Sequence, residues 1–199
     1  MMRIGRANES DRAVNPWRTP MDLREIAIAN QHRCLRLRQS DIVRAIRHLD
    51  GHFGQPMPNG KSRYRVCPPG ELSLVFLDDA ALAQLHGDFL DDPSSTDVIT
   101  FEGDAAFGNA GEICVSADTA AAYAKKHGRS FSTELTLYVV HGWLHLAGYD
   151  DLQPAKKRVM RRAEARAMTL LEQAGLVPRF VLRTVAAKQS GRAMPRSQR

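Results

Sequence analysis

The segment HGWLHLAGYDD, residues 141–151, decides how the rest of this sequence is interpreted. It places His141 and His145 four residues apart, and residues at i and i+4 lie on the same face of a helix. Gly148 can end such a helix and turn the chain back. Two carboxylates close the segment. The pattern predicts a metal site on a helix, because imidazole nitrogens and carboxylate oxygens are ligands that zinc accepts.

The third ligand is one of two adjacent aspartates, Asp150 and Asp151. The segment resembles the HExxHxxGxxH arrangement of metzincin proteases, whose third ligand lies three positions past the glycine, and here that position is Asp151. We therefore predict that His141, His145 and Asp151 bind one zinc ion and leave its fourth position open, as in catalytic zinc sites. Asp150 is predicted to orient a histidine or to cap the next helix, and direct ligation by Asp150 is the alternative.

Gly142 argues against peptide hydrolysis. It stands where a metalloprotease of this spacing has the glutamate that accepts the proton of the attacking water. Glycine cannot accept a proton, so the spacing indicates a metal site without protease chemistry.

The two histidines lie in the stretch TELTLYVVHGWLHLAG, residues 133–148, which is apolar nearly all round. Such a pattern predicts a buried central helix. Glu134 falls on the same stripe as the histidines and is a candidate to contact a metal ligand without binding the metal itself. Trp143 and Tyr149 are candidates to stack on nucleobases, but the position of Trp143 on a buried helix favours the core.

Hydrophobic periodicity along the rest of the chain predicts an α+β fold. One helix has Ser40 as its expected N-cap. The order of elements favours a single compact domain, with a mixed sheet of about four strands packed against helices and the metal site on the buried central helix. The predicted strands are 24–33, 71–79, 97–103 and 111–118, and the predicted helices are 40–53, 80–90, 117–128, 133–148 and 154–175.

The length of 199 residues and the apolar share of 43% suit one domain with loose ends. We expect a flexible arm at 1–20, the domain at 21–182 and a basic flexible tail at 183–199. No apolar run reaches the roughly 18 to 20 residues of a bilayer span, and the first residues lack the apolar core of a secretion signal. The three cysteines form no CxxC pair, which suggests reduced thiols and a cytoplasmic protein.

Positive charge is concentrated near the C-terminus. Residues 153–199 contain 12 Lys and Arg against 2 Asp and Glu, whereas residues 1–152 contain 16 against 20. A basic segment of this kind attracts a polyanion such as RNA through its phosphates. The alternative is a solvated helix face followed by a disordered tail.

The central segment also resembles the signature of the YbeY endoribonuclease family, HGxLHLxGYDH, at ten of eleven positions when x is counted as free. Gly142 is the residue that this signature contains. The resemblance extends over about residues 70 to 175. Further similarities are STDVITF (95–101) to the TDVLSF strand of the family, GEICVS (111–116) to its GDIVIS strand, Glu134, and the spacing from Met160 to Glu164.

The resemblance implies a compact α+β domain that binds one metal ion, usually zinc, through three residues of the signature. It implies single-strand-specific cleavage of RNA during ribosomal RNA maturation, at the 3′ end of the small-subunit 16S rRNA, and a role in ribosome quality control. The expected partners are single-stranded RNA, rRNA and the ribosome, without DNA or membrane. As a mechanism we hypothesise that metal-bound water attacks the phosphodiester, and no catalytic side chain beyond the metal ligands is assigned.

Two positions depart from the family pattern. The third histidine is replaced by Asp151, an anionic ligand that makes the ion a weaker Lewis acid. The arginine that the family usually has six residues before the threonine of TDV is replaced by Leu90.

If that arginine contacts phosphate, either another cation replaces it, with Arg158, Arg161 and Arg162 as the candidates, or the protein is less active. Thr96 and Asp97 are expected either to line the RNA cleft or to end a loop. These departures keep open an alternative function, a non-catalytic, metal-stabilised RNA-binding factor in ribosome assembly.

Overall fold

The computed structural model describes residues 24–55, 64–90 and 96–183. Within these residues the chain forms six strands and five α-helices. The strands are β1 (Ile26–Asn30), β2 (Leu35–Arg36), β3 (Glu71–Leu77), β4 (Val98–Glu102), β5 (Asn109–Ser116) and β6 (Val181–Leu182), and the helices are α1 (Gln39–His52), α2 (Asp79–Leu90), α3 (Ala117–His127), α4 (Phe131–Leu146) and α5 (Pro154–Gln173).

Four strands form one mixed sheet in the order β1-β3-β5-β4. β1, β3 and β5 are parallel, and β4 is antiparallel to β5. The loop between β4 and β5 contains a 3₁₀ turn at Ala105–Phe107 and returns the chain directly, as a hairpin requires. The predicted α+β class and four-stranded mixed sheet are therefore confirmed.

The two faces of the sheet are covered by different helices. Side chains alternate along a strand, so Leu74 and Ile113 enter the larger core, where α1, α4 and α5 pack. Val75 and Cys114 point to the opposite face, where they pack with Leu82 of α2. The sheet is thus buried on both sides, and α4 lies in the main core between α3 and α5.

The predicted elements agree with the structure to within a few residues at their ends. Two details were wrong or missing. α1 begins at Gln39, and its N-cap residue Arg38 makes no side-chain cap bond, so Ser40 lies in the first turn and does not cap the helix. The small antiparallel sheet of β2 and β6 was not predicted, because strands of two residues carry no periodicity.

The predicted arm at 1–20 lies outside the described residues, as does the predicted tail apart from Arg183. The predicted absence of disulfides agrees with free thiols at Cys34, Cys67 and Cys114. Among the residues described, none of the helices has the length and apolar character that crossing a bilayer would need.

A buried ion pair anchors the inner side of α4. Trp143, which is fully buried in the core, donates its indole N–H to Asp50 Oδ1 at 3.2 Å. The other oxygen of Asp50 lies 2.8 Å from Arg24 Nε, and both side chains of this pair are 1% exposed. Arg24 also donates to the carbonyl oxygens of Cys67 and Pro68. Burial raises the pKa of Asp50, and the positive charge of Arg24 opposes this effect. Arg24 is therefore the group that stabilises a negative charge on the buried Asp50 carboxylate.

Gly142 sets how closely α4 approaches the sheet. A Cβ atom at this position would lie 2.4 Å from Cγ2 of Ile113 on β5 and 3.2 Å from Cγ2 of Val98 on β4. Real carbon atoms do not approach to 2.4 Å, so any side chain at 142 would push the helix away from the strands. The glycine that argued against a protease is therefore required by packing.

We predict that Asp50→Ala lowers the free energy of unfolding by about 3–5 kcal/mol, because it leaves the Arg24 guanidinium buried without its carboxylate. Urea unfolding followed by circular dichroism measures the change. The matched control is Asp41→Ala on the same helix, which removes an ion pair to a 65% exposed Arg44 side chain and is expected to cost under about 1 kcal/mol. Equal losses in the two variants would contradict the proposed anchor.

We predict that Gly142→Ala destabilises the protein by about 1–3 kcal/mol, the usual range for overpacking a core. Gly51 provides the control, since it lies near the end of α1 with no atom within 4 Å of an added Cβ. Gly51→Ala should stabilise the protein by up to about 1 kcal/mol through helix propensity. A stabilising effect of Gly142→Ala would show that the helix and sheet do not meet as described.

Candidate metal centre

The two histidines of α4 meet side by side at the edge of an open cleft. Nε2 of His141 lies 2.9 Å from Nε2 of His145, and the two rings are nearly perpendicular at 89°. Both side chains are partly buried, with 18% and 26% of their surface exposed. The i, i+4 spacing therefore brings two ligand atoms to one point that remains accessible from outside.

A tight turn at the end of α4 brings the carboxylates back toward the histidines. Gly148 adopts a left-handed conformation with φ of 81°, which glycine accommodates without steric cost. Its N–H donates to the carbonyl oxygen of His145 at 2.8 Å, and the N–H of Tyr149 donates to that of Leu144 at 3.0 Å. These two bonds define a Schellman motif. The motif places Asp151 Oδ1 3.9 Å from Nε2 of His145.

His141, His145 and Asp151 offer one ligand atom each, and these three atoms lie within 4.8 Å of one another. Within the part of the chain that the structure describes, no other group of His, Cys, Asp or Glu side chains meets this geometry. Two nitrogens that ligate a tetrahedral zinc ion at ~2.05 Å lie about 3.3 Å apart. The separations of 2.9 Å and 3.9 Å lie on either side of that value, and all three donors lie within 4.8 Å, so this donor set could hold one divalent ion.

Each histidine is oriented through its other ring nitrogen. Nδ1 of His141 lies 2.6 Å from Oε1 of Glu164 on α5, and Nδ1 of His145 lies 3.0 Å from the carbonyl oxygen of Tyr149. Both partners accept hydrogen bonds, so each Nδ1 carries the proton and each Nε2 is directed at the ligand position. Such outer contacts are typical of histidines that bind metal.

The environment moves the pKa values of the two imidazoles in opposite directions. Burial lowers the pKa of His141, but the hydrogen bond and charge of Glu164, with the charges of Asp97 and Asp151, outweigh burial and leave the pKa raised. Burial and the neighbouring His141 lower the pKa of His145. Of the two imidazoles, His141 therefore binds a proton more readily, and a proton on its Nε2 can be donated to Nε2 of His145. A divalent ion would take the place of that proton.

Asp150 is directed away from the histidines. Its Oδ1 accepts from the N–H of Leu152 at 2.8 Å, and its Oδ2 accepts from Nζ of Lys156 at 2.7 Å. The carboxylate thus stabilises the turn that precedes α5, but it does not cap the helix, because the N-cap residue is Gln153 and no side chain makes the cap bond, so the predicted capping role is wrong. The contacts described for Asp150 place no histidine within hydrogen-bonding distance, so they do not support an orienting role.

The candidate centre borders a cleft of about 510 Å³ between α3, α4, α5 and the residues that precede β4. Thr96 and Asp97 both line it, while their predicted contact with RNA stays a prediction. The other lining residues are Thr119, Tyr123, Glu134, Leu137, Tyr138, His141, Asp151, Lys157, Met160, Arg161 and Glu164.

The three arginines predicted to meet RNA do not share one face of α5. Arg161 lines the cleft, together with Lys157 one turn earlier. Arg158 and Arg162 are exposed and lie outside the lining, and Arg162 donates to the carbonyl oxygen of Arg158 along a separate stripe. The cleft is therefore lined by Lys157 and Arg161, and Lys157 had not been singled out.

Glu134 lines the cleft about two and three turns before the histidines, and its ion pair is with Arg129, not with a histidine. Its side chain is 3% exposed and lies 3.4 Å from Nη1 of Arg129. Tyr138, between Glu134 and His141 on the same stripe, has its pKa raised by burial and by the charges of Asp97 and Glu134. The phenol therefore remains a neutral hydrogen-bond donor within the cleft.

Sequence reasoning missed Glu164 as a partner of His141. The signal that was available is its spacing of four residues from Met160 and of seven from Lys157, which puts all three on the cleft-facing stripe of α5. Trp143 is confirmed as a core residue. Tyr149 is 9% exposed, and its hydroxyl accepts from the N–H of Arg65 at 2.9 Å. It stabilises the turn and does not offer a free face to a base.

Comparisons with known proteins point to one family. The family model "Endoribonuclease YbeY" matches residues 30–172. A protein named "Endoribonuclease YbeY" from Protochlamydia amoebophila is 41% identical over 107 residues, which cover 52% of this chain and 71% of that protein. One of the same name from Syntrophotalea carbinolica is 39% identical over 110 residues, with 52% of this chain and 73% of that protein covered.

Among solved structures, the fold is similar to the solution structure of TM1509 from Thermotoga maritima. The TM-score is 0.50 at 21% sequence identity, and the match covers 75% of this chain and 91% of that chain. This likeness supports the α+β fold. With the family match over most of the described region and the relatives above, the chain belongs to the YbeY endoribonuclease family.

Proposed function

We propose that this protein is a metal-dependent endoribonuclease that cleaves single-stranded RNA, with His141, His145 and Asp151 as the ligands of one zinc ion. The observation that carries the proposal is the meeting of these three donors within 4.8 Å at the edge of an open cleft of about 510 Å³. Family membership supports the reaction class, because the relatives are named endoribonucleases.

In this proposal, some groups around the centre orient the metal ligands and others bind the RNA. A zinc ion held there would act as a Lewis acid toward the phosphodiester and would acidify water for the attack. Glu164 holds His141 in the ligand orientation, and the Tyr149 carbonyl does the same for His145. Lys157 and Arg161 line one wall, and in this proposal their charges contact phosphate oxygens. Asp97 faces the same cleft and is available to accept a proton.

We infer that the substrate is ribosomal RNA, with maturation of the 3′ end of the small-subunit 16S rRNA and ribosome quality control as the cellular roles. The relatives' name and the family signature support RNA as the substrate. Single strands fit an open cleft with cations on its wall better than a rigid duplex does. A cytoplasmic location, where ribosomes mature, follows from the same proposal.

Asp151 is expected to moderate the reaction, not to abolish it. A carboxylate ligand brings one more negative charge to the ion than the histidine of the family signature. The ion is then a weaker Lewis acid, so we expect slower cleavage than in a relative with three histidines. Asp151→His, which restores the signature, tests this expectation as an increase in cleavage rate.

We predict that Asp151→Ala lowers zinc affinity by more than the roughly 10- to 100-fold that loss of an outer partner costs, because it removes a direct ligand. Elemental analysis after dialysis against a buffered zinc solution measures occupancy. Asp150→Ala is the matched control and should keep about the wild-type affinity, since Asp150 bonds to Leu152 and Lys156. Full occupancy in Asp151→Ala with loss in Asp150→Ala would reverse the assignment.

We predict that purified protein with zinc cleaves a single-stranded fragment of the rRNA 3′ end and leaves the same fragment intact in a duplex. His145→Ala should reduce cleavage by at least roughly 100-fold, the scale of losing a group that stabilises the transition state. Binding of the same RNA, measured by fluorescence anisotropy, should be retained. Unchanged cleavage by His145→Ala would refute the metal mechanism.

The non-catalytic alternative has a different outcome in this experiment. A metal-stabilised assembly factor would bind the fragment with no cleavage by the wild-type protein. The replacement of the usual arginine by Leu90, at the end of α2, and of the third histidine by Asp151 are the observations that favour this alternative.

A further inference from the structure

The wall of the cleft opposite α5 ends in an aromatic and cationic cluster formed by Tyr123, His127 and Arg129. Tyr123 lines the cleft and is 40% exposed. Its ring is stacked on that of His127, with centroids 3.9 Å apart and planes 26° apart. The Arg129 guanidinium lies 5.8 Å from the Tyr123 ring centroid.

Two contacts hold this cluster in place. Nδ1 of His127 lies 2.9 Å from the carbonyl oxygen of Tyr123, one turn earlier on α3. Arg129 follows α3 and forms an ion pair with Glu134, a carboxylate that lines the cleft and is 3% exposed. The Arg129 side chain itself is 54% exposed. The guanidinium is thereby anchored at one edge and open to solvent at the others.

The cluster is part of a basic surface. The sequence KKHGR at 125–129 contains three cations and a histidine, and all five residues are exposed. Lys125 and Lys126 lie in the last turn of α3, where cations favour the helix dipole. That explanation does not extend to Arg129, which lies beyond the helix and contacts Glu134, a residue of the cleft lining.

The charge of the cleft shows why cations at this rim matter. Its lining contains four carboxylates, on Asp97, Glu134, Asp151 and Glu164, against the cations of Lys157 and Arg161. A polyanion that enters such a cleft needs positive charge along its path. Helices α3 and α5 flank α4, so Arg129 lies across α4 from Lys157 and Arg161.

We propose that Tyr123 and His127 form a stacking surface for a nucleobase and that Arg129 contacts the adjacent phosphate. Exposed aromatic rings next to a cation are the usual means of holding single strands without sequence preference. The inference rests on the proposed function, because it assigns a contact to the single-stranded RNA substrate of that cleft. The strand then crosses from the Tyr123 rim over the metal centre to the cations of α5.

Stacking is tested with an oligoribonucleotide of about ten bases that contains 2-aminopurine, whose fluorescence is quenched when the base stacks. Tyr123→Ala should weaken binding by roughly 5- to 100-fold, the range found for loss of one stacking partner, and should relieve the quenching. Tyr123→Phe should stay within about 3-fold of wild type, because the ring is kept. Cleavage by Tyr123→Ala should show a raised KM with kcat little changed.

The phosphate contact is tested by salt dependence. Arg129→Gln should reduce the slope of log affinity against log salt by about 0.7, the value for one phosphate contact on a single strand, and Arg129→Lys should restore it. The control is Arg44→Gln on α1, an exposed arginine outside the cleft, which should leave the slope unchanged. Circular dichroism of each variant verifies that the fold is kept.

The outcomes separate this inference from the proposed function. If the wild type cleaves single-stranded RNA but Tyr123→Ala binds it with unchanged affinity and quenching, the stacking surface is refuted and the nuclease proposal stands. If the wild type binds RNA through Tyr123 without cleaving it, the stacking surface stands and the nuclease proposal falls. Absence of both binding and cleavage refutes both.

Discussion

The close approach of α4 to the sheet is the constraint on which the rest of the structure depends. Residue 142 has no side chain, so the helix can lie against Ile113 and Val98 at a distance that any Cβ would prevent. This packing fixes the distance of the neighbouring residue His141 from the sheet. On the inner side of the helix, Trp143 reaches the buried carboxylate of Asp50. The close packing of the helix therefore also determines where the candidate ligands lie. Gly142 contributes to the site by allowing this packing and has no chemical group of its own to offer.

The candidate centre on that helix depends on contacts between residues that are close in the sequence and on contacts between residues that are far apart in it. The Schellman turn at Gly148 is local, and it supplies both the return of Asp151 and the carbonyl oxygen of Tyr149 that orients His145. Glu164 comes from α5, 23 residues after His141, so its contact exists only when α4 and α5 have packed. A donor set built in this way is preorganised by the fold, because each imidazole is held before any ion arrives.

The sequence predicted what depends on local spacing. Helical and strand periodicity located the elements of the main sheet and its helices, and the i, i+4 histidines with a glycine stop placed the candidate ligands on one stripe. What it could not settle depends on tertiary packing. A basic helix has several charged faces, and charge alone did not distinguish Lys157, which lines the cleft, from Arg158, which does not.

The electrostatics of the cleft explain why its ligands and its cations must be considered together. Asp151 raises the pKa of His141 and opposes the lowering of the pKa of His145, so on the proposed ligand set a proton competes with the ion for the imidazoles. Because metal binding requires neutral imidazole, affinity declines as the pH falls through the raised pKa of His141. The same carboxylate attracts a cation more strongly than a neutral histidine would. The aspartate therefore favours both the proton and the ion that compete for the two imidazoles. On the proposed function, Lys157 and Arg161 supply the positive charge that RNA needs near this acidic centre.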